Sequence, residues 1–330
     1  MSPLAGIRET VLVAPDSFKG TFTASEVAEA IAAGLRDGGR PADVCPAADG
    51  GEGTLDALLA ALGGELRTAE VTDPLGRPIE AHYAMSGSTA IVETAAASGL
   101  HLVAESERDP QAACTAGTGE LIMAAVADGA QTVLLGVGGS ATSDGGSGAL
   151  EAIRRAGGLG GTRLVVLCDV RTTFADAARV FGPQKGADPD VVRKLTARLH
   201  AQARRLPRDP RGEPMSGAAG GLSGGLWAVH GAELVSGASF ILDAIGFDER
   251  MRAARAVVTG EGRLDEQSLV GKVVSEIATR ARQSGVPCDA VVGCRELDAM
   301  GARVLDLERV LEAGTVAQLK AAGRALAEVI

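Results

Sequence analysis

The chain has 330 residues, with 45 glycines, 2% aromatic residues and a formal net charge of −10. That length allows two domains with a hydrophobic core each, and the acidic balance argues against nucleic acid and against anionic membranes as partners. The abundance of glycine and the scarcity of aromatic rings favour small-residue-packed strands and helices joined by tight turns over an all-β sandwich.

The cysteine pattern and the N-terminus bear on the compartment. Five scattered cysteines show no CxxC spacing, which indicates buried thiols in a reducing environment. The N-terminus has no basic stretch followed by an apolar one, and no apolar run is long enough to span a membrane. We therefore expect a cytoplasmic protein.

The first predicted element is a buried strand over residues 10–14, followed by Asp16, Ser17 and Lys19. Thr23-Ala-Ser-Glu26 is a capping box that begins the first helix. Because ligands of open α/β sheets bind beyond the carboxyl ends of strands, this loop offers an acid, a hydroxyl and a cation to a ligand. The acid and the hydroxyl alone could simply shape the turn, whereas the lysine has no such structural reason.

A second strand is predicted at residues 44–47, before an acidic, glycine-rich loop and a helix at 55–62. Asp49 and Glu52 in this loop could hold Mg²⁺ or accept a substrate hydroxyl. They could also be favourable charges at the helix N-terminus, an explanation that fits Glu52 better than Asp49.

From about residue 70 the pattern changes. A turn-rich crossing at 72–78 precedes two paired strands at 79–85 and 89–93, and we place a domain boundary in that crossing. Residues 115–120 begin another helix with hydroxyls and glycines, for which an anion pocket and helix capping are equally good explanations.

The glycine loop, residues 136–148, is the strongest candidate for a site. It lies between a buried strand at 132–135 and a helix that begins near Ala149, and it interleaves glycines with hydroxyls and one acid. Glycines let backbone N–H groups approach an anion, and a helix N-terminus adds partial positive charge. Asp144 suits a site in which Mg²⁺ bridges protein and phosphate. A plain strand-to-helix turn explains this composition less well.

The next strand, at 163–168, ends at Asp169, a position typical of a metal ligand or a base. Gln184 and Lys185 follow in a Gly/Pro turn, where the lysine could neutralise a phosphate, although a solvated surface lysine is the usual case. An exposed amphipathic helix is predicted at 193–205.

Two further segments carry candidate residues. Gly220 and Gly221 lie in a glycine-dense segment that could admit a nucleotide or a neighbouring helix. Residues 256–265 are predicted as a strand and an acidic loop that contains Glu261 and Asp265. The remaining predicted elements are a helix at 273–283, a strand at 286–293 and a helix at 311–329.

Several established site motifs are absent from the sequence, namely the strict P-loop, HExxH, GxSxG and the kinase HRD/DFG set. Gly136–Ala141 fits the pattern GxGxxA, which would favour a nicotinamide-dependent oxidoreductase, but the loop continues beyond it instead of entering a helix. Acid, glycine and hydroxyl clusters recur after strands. They suit phosphoryl transfer best, because that chemistry needs cations, backbone donors and metal-holding carboxylates.

Together these segments resemble the glycerate kinase family, in its type-one bacterial class. The matching stretches follow the family order from about residue 10 to 293, and they are Ala14–Lys19, Ala48–Thr54, Asp73–Gly76, Glu93–Leu100, Gly117–Leu121, Gly138–Gly146, Cys168–Val170, Phe181–Ala187, Gly217–Gly221 and Thr259–Asp265.

The resemblance implies two α/β domains with the active site in the cleft between them. Residues 1–75 and 260–330 would form a discontinuous domain, and residues 76–259 an inserted, flavodoxin-like domain. It also implies ATP- and Mg²⁺-dependent phosphorylation of D-glycerate, most simply to 2-phosphoglycerate. The alternatives are a 3-phosphoglycerate-forming enzyme, a kinase of a related small hydroxy acid and a non-catalytic sugar-acid-binding regulator. Whether the protein is a homodimer stays open.

The resemblance also implies roles for the candidate residues. Lys19 and Lys185 would neutralise phosphate or carboxylate charge, and either Asp49 or Asp169 would be the base for the substrate hydroxyl. The expected catalytic residues are Asp16, Lys19, Asp49, Asp169 and Lys185. The residues expected to bind ATP are Ser17, Gly138, Gly139, Ser140, Thr142, Gly145, Gly146, Gln184, Gly220 and Gly221. The expected Mg²⁺ ligands are Asp144, Glu261 and Asp265.

Overall fold

The computed structural model describes residues 9–269 and 272–330. The chain divides into two compact units, a discontinuous unit built from the chain up to Asp49 and from Ile241 onward, and an inserted unit, Gly50–Phe240. The mixed α/β fold expected from the sequence is confirmed.

Helices and strands alternate along much of the chain in both units. The first segment of the discontinuous unit contains β1 (Val11–Pro15), α1 (Ala24–Asp37) and β2 (Ala42–Val44). The inserted unit contains α2 (Thr54–Leu62), β3 (Glu65–Thr72), β4 (Pro78–Ser86), β5 (Thr89–Glu93), α3 (Thr94–Ser98), α4 (Ala116–Ala127), β6 (Thr132–Gly136), α5 (Ser147–Arg155), β7 (Arg163–Cys168), α6 (Ala177–Phe181), α7 (Pro189–Ala203), α8 (Ala218–His230) and β8 (Glu233–Ser236). The boundary falls within α9 (Gly237–Ala244), and the second segment of the discontinuous unit adds α10 (Phe247–Ala253), β9 (Ala256–Leu264), α11 (Val273–Ser284), β10 (Cys288–Arg295), α12 (Ala299–Val304), β11 (Val310–Glu312) and α13 (Val316–Val329).

The discontinuous unit is a parallel sheet with the strand order β11-β10-β9-β1-β2. Numbered within the unit, this is the doubly wound order 2-1-3-4-5 of flavodoxin-like folds. The sequence resemblance placed a flavodoxin-like domain in the inserted unit, and the structure corrects that placement. Ligands of such sheets bind where the strand order reverses, which in this sheet is between the carboxyl ends of β1 and β9.

A close helix crossing covers one face of that sheet. The capping box at the start of α1 is present in full, with the Thr23 side chain and the Glu26 side chain each accepting a backbone N–H of the other residue. Gly34 on α1 and Gly323 on α13 have no room for a Cβ, because that atom would overlap a backbone carbonyl oxygen of the facing helix. The two glycines therefore let the helix backbones touch.

The inserted unit is a mixed sheet whose strands follow chain order from β3 to β8. The strands β3, β4 and β5 pair antiparallel, and β5 through β8 pair parallel. Its main hydrophobic core includes Leu121, Leu135 and Val166. A separate, smaller core, which includes Phe174, Leu195 and Leu199, lies within residues 174–206, which we name the α6–α7 segment.

The structural boundaries differ from those expected from the sequence. The strand β3 pairs with β4 from Glu65↔Met85 to Thr72↔Pro78, so a cut at residues 75/76 would sever this hairpin at its turn. A cut at residues 259/260 would divide β9. The structure instead divides the chain at residues 49/50 and 240/241. Within the described ranges, no helix combines the length and the apolarity needed to cross a membrane.

Candidate functional site

The discontinuous unit carries a carboxylate cluster, defined as Asp16, Asp49 and Glu261. Asp16 follows β1, Asp49 follows β2, and Glu261 lies on β9 beyond the β1–β9 pairing of Pro15 with Gly260. The three side chains are 4%, 1% and 6% exposed, respectively. Polar side chains buried at the carboxyl edge of parallel strands are typical of a ligand site in this fold.

Asp16 is held in an unfavourable environment for a negative charge. Burial raises the pKa of its carboxyl well above the usual value, and the negative charge of Asp49 raises it further. Two neighbours lower this pKa. They are the positive charge of Lys19 and the backbone N–H of Ser17, which donates to Asp16 Oδ1 over 2.7 Å. Lys19 Nζ lies 3.7 Å from Asp49 Oδ2 and is half exposed, so this cation is placed beside buried acids and open to solvent. The expected catalytic residues Asp16, Lys19 and Asp49 are thus brought together.

Glu261 and Asp265 share a lysine. Lys272 Nζ, at the start of α11, lies 3.3 Å from Glu261 Oε2 and 3.9 Å from Asp265 Oδ1. Burial raises the pKa of Glu261, and the charge of Lys272 opposes that rise. These two expected metal ligands are therefore already neighbours of a cation.

Asp144, the third expected metal ligand, lies in the inserted unit and has a different environment. Its carboxylate accepts hydrogen bonds from Thr115 N, Thr115 Oγ1, Gly146 N and Gly148 N, over 2.8–3.1 Å. It thereby joins the start of α4 to the start of α5. Across residues 9–269 and 272–330, no group of three or more His, Cys, Asp or Glu side chains is placed to hold a metal ion. Asp144 belongs to the inserted unit, whereas Glu261 and Asp265 belong to the discontinuous unit.

Lys185 lies against the glycine loop of the inserted unit. Its side chain is only 2% exposed, and its Nζ donates to Ser140 Oγ over 3.0 Å and to Thr142 O over 2.5 Å. Burial lowers the pKa of this ammonium to about 7, against the opposing charges of Asp144 and Asp169. A lysine that its Gly/Pro turn would normally leave in solvent is therefore inside the protein.

Several hydroxyls near these charged groups are buried without a hydrogen-bond partner. Within the described part of the chain, Ser17 Oγ, Thr142 Oγ1 and Ser143 Oγ are in this state. Buried hydroxyls are nearly always hydrogen-bonded, so these three are available to hydrogen-bond a bound ligand. Ser17 adjoins the carboxylate cluster, and the other two adjoin the lysine-bound carbonyl of the loop.

Most of the glycines expected to bind ATP are explained by contacts within the protein. A Cβ on Gly138 would overlap the Gly51 backbone, and one on Gly220 would overlap the carbonyl oxygen of Thr142. A Cβ would also overlap the Gln202 side chain at Gly145 and the Phe174 ring at Gly221, and at Gly146 it would be in tight contact with Leu222. Gly139 differs, because a Cβ there would meet its nearest neighbour at an ordinary contact distance, so its positive φ of 70° is what favours glycine at this position. These glycines let the glycine loop pack tightly on adjacent segments.

The remaining two candidates lie in the inserted unit. Asp169 directly follows β7, is half-buried, and acts on Lys185 through its charge. Gln184 precedes Lys185 in a 3-10 turn, Pro183–Lys185, and its side chain is exposed. The sequence pattern thus placed two adjacent residues correctly in one turn without indicating which of them points inward.

Three polar residues of these sites were not selected from the sequence. The sequence does not single out Lys272, because a lysine at a helix start is common, and it indicates Thr115 only as part of a helix start, since its partner Asp144 lies 29 positions away. Glu93, at the end of β5, accepts the Leu55 N–H over 2.9 Å, and burial raises its pKa to about 7. Its position after a strand was the available signal.

Known proteins resemble this chain over most of its length. The model of the glycerate kinase family matches residues 11–157 and 155–327. A protein named Glycerate kinase from Haemophilus influenzae is 40% identical over 87% of this chain and 86% of its own. One named Glycerate 2-kinase from Escherichia coli K12 is 38% identical over 86% of this chain and 84% of its own. The crystal structure of a protein named as glycerate kinase 2 from Salmonella typhimurium LT2 superposes with a TM-score of 0.80 at 33% identity, covering 98% of both chains. This chain therefore belongs to the glycerate kinase family and is a kinase.

Proposed function

We propose that this enzyme transfers the γ-phosphoryl group of ATP to D-glycerate in the presence of Mg²⁺ and releases 2-phosphoglycerate. The observation that carries the proposal is the pair of buried carboxylates Asp16 and Asp49 beside Lys19, at the carboxyl edge of a doubly wound sheet in a glycerate kinase chain. The name of the Escherichia coli relative, Glycerate 2-kinase, supports the 2-hydroxyl as acceptor.

The donor set of Asp16 and Asp49 suits Mg²⁺. The two acids are buried, and their like charges repel, so a divalent cation would offset a charge that Lys19 offsets only in part. Mg²⁺ is commonly held by one or two carboxylates together with substrate phosphates, so a cage of three protein ligands is not required. When bound, the ion supplies positive charge beside the transferring phosphoryl group. Asp144 is a poor ligand by comparison, because backbone donors already occupy its oxygens.

Phosphate oxygens of ATP would be bound by Lys185 and the hydroxyls of Thr142 and Ser143. A lysine ammonium has three N–H donors, and the structure gives two of those of Lys185 partners on the glycine loop. The partnerless hydroxyls can donate to the same ligand. Cations and hydroxyl donors of this kind position phosphates and neutralise their charge during phosphoryl transfer.

The test is ATP turnover with D-glycerate and Mg²⁺, with the product identified by ³¹P NMR. A 2-phosphoglycerate signal is expected. A 3-phosphoglycerate signal would keep the kinase and reverse the orientation of glycerate. ATP binding without turnover on glycerate would favour another small hydroxy acid or a sugar-acid-binding regulator.

Substitutions separate the roles of the carboxylates. Lys19→Ala, Asp49→Asn and Asp169→Asn should each lower kcat about 100-fold or more while the protein stays folded, as expected for groups that act on charge in the transition state. If Asp49 acts as a Mg²⁺ ligand, the turnover of Asp49→Asn should recover as the Mg²⁺ concentration is raised. The variant of whichever aspartate is the base, Asp49 or Asp169, should not recover. Near-normal turnover in all three would contradict the site assignment.

The state of the cysteines supports a cytoplasmic location, which we also propose. All five cysteines are free thiols, as is usual for proteins of a reducing compartment.

A further inference from the structure

Two side chains of α7 hold the glycine loop by its backbone. Arg198 Nη2 donates to Ser143 O over 2.9 Å, and its Nη1 donates to Gln111 O over 2.7 Å. Gln202 Nε2 donates to Gly145 O over 2.9 Å. The two residues are four positions apart, so they lie on one face of the helix, and that face meets the loop.

The element that carries these side chains is built separately from the loop. The α6–α7 segment has its own hydrophobic core around Phe174, Leu195 and Leu199, distinct from the main core of the inserted unit. The hydrogen bonds of Arg198 and Gln202 therefore join two structural parts, and they fix the position of the loop backbone relative to α7.

A third side chain of the same segment has a different role. Lys185 donates to Thr142 O and Ser140 Oγ, but its ammonium is also the cation proposed to meet the phosphates of ATP. If the lysine turns towards a phosphate, the loop loses part of this support. The bonds to the carbonyls of Ser143 and Gly145 remain, since neither Arg198 nor Gln202 needs to move.

We propose that Arg198 and Gln202 are positioning residues for the nucleotide site. They hold the backbone of the glycine loop so that the hydroxyls of Thr142 and Ser143 stay oriented while Lys185 engages the ligand. The identity of the ligand as ATP rests on the proposed function, whereas the restraint on the loop is a property of the protein without ligand.

The experiment compares Arg198→Met, Gln202→Leu and the double variant with Arg193→Met, a control on the same helix whose guanidinium pairs with Asp190. Hydrogen exchange of peptides covering residues 137–148 is measured without ligand, and steady-state kinetics are measured with ATP and glycerate varied in turn. Arg198→Lys tests rescue, because an ammonium keeps the charge but lacks the two-pronged donor geometry of a guanidinium.

Loss of both restraints should speed exchange in the loop about tenfold and raise KM for ATP about fivefold or more, with kcat within about threefold of wild type. The KM for glycerate and the Arg193→Met variant should match wild type, and Arg198→Lys should fall between wild type and Arg198→Met. Unchanged loop exchange in the double variant would overturn the proposal, whatever happens to KM. A wild-type enzyme inactive on glycerate would contradict the proposed function alone, because loop exchange would still decide this inference. If the double variant fails to fold, the two single variants give the same comparison.

Discussion

Lys185 shows how burial sets the charge of a single side chain. Its ammonium is enclosed by the inserted unit, and its pKa is lowered to about 7 because burial outweighs the attraction of Asp144 and Asp169. An anion bound beside it would stabilise the charged form and raise the pKa again. The residue is therefore suited to binding a phosphate and to coupling that binding to proton uptake.

This coupling predicts a pH dependence. As the pH rises through about 7, the free enzyme loses the proton on Lys185, so ATP must bind together with a proton. We expect kcat/KM for ATP to fall about tenfold per pH unit above roughly pH 8, where ATP itself no longer changes charge. Calorimetric titrations in two buffers of different ionisation enthalpy should detect the proton uptake.

Lys185→Met is the matched variant for that prediction. It should give a low kcat/KM that is flat with pH, and no proton uptake. In the wild type, the folded chain releases this proton near pH 7 and the unfolded chain near pH 10, so the residue should make the free energy of unfolding rise with pH between about 7 and 10. A wild-type kcat/KM that stays constant up to pH 9 would argue against a charge role for Lys185.

At the scale of elements, Asp144 connects the starts of two helices by hydrogen bonds. Its carboxylate accepts the backbone N–H groups of Thr115, Gly146 and Gly148, at the starts of α4 and α5, and the hydroxyl of Thr115. Unpaired N–H groups at helix starts favour a negative charge, so one acid stabilises both helices. Such a carboxylate has a structural reason to be in the loop, independent of any metal.

Loss of the Asp144 carboxylate should therefore have a large effect on the free energy of unfolding. Asp144→Ala should lower the free energy of unfolding by about 2–4 kcal/mol, because several buried donors lose their acceptor. Asp188→Ala is the matched control, since Asp188 caps α7 with a single bond to Val191 N over 2.8 Å, and a cap of this kind is worth about 1 kcal/mol. Urea unfolding followed by circular dichroism measures both. Equal losses for the two variants, with a raised Mg²⁺ requirement for Asp144→Ala, would instead support a metal role.

At the scale of the whole molecule, the chain forms two units that each have their own sheet and core. The inserted unit contains the glycine loop and Lys185, and the discontinuous unit contains the carboxylate cluster. The groups proposed to bind phosphate and those proposed to hold Mg²⁺ therefore belong to separately built parts.

This division predicts the behaviour of an isolated inserted unit. A fragment comprising Gly50–Phe240 should fold and unfold in a single cooperative transition, because its sheet and main core are formed within it. It should bind ATP measurably by calorimetry and lose that binding with Lys185→Met, yet it should not phosphorylate glycerate, because it lacks Asp16, Lys19 and Asp49. A fragment that turns over glycerate would show that the carboxylate cluster is dispensable.

The sequence by itself determined the features that have local causes. The strand β7 begins and ends at the predicted residues, and α1 begins at its predicted capping box, because a continuous apolar run and a capping box are patterns of near neighbours in the chain. The positions of Asp16 directly after β1 and of Asp49 in the loop that follows β2 were also predictable. Three strands were missed. The exposed β3 and the short β8 and β11 have weak local patterns and exist because a neighbouring strand pairs with them.

Only the tertiary structure decided which of these features meet. Asp16 and Glu261 lie 245 positions apart in the chain, and they share one edge of a sheet because β1 pairs with β9. Lys185 is buried against Ser140 and Thr142, and Asp144 receives two of its hydrogen bonds from Thr115, and these partners are far from them in sequence. The composition of a segment shows which polar and charged side chains it contains. The charge and availability of those groups depend on burial and on distant partners, which only the folded chain supplies.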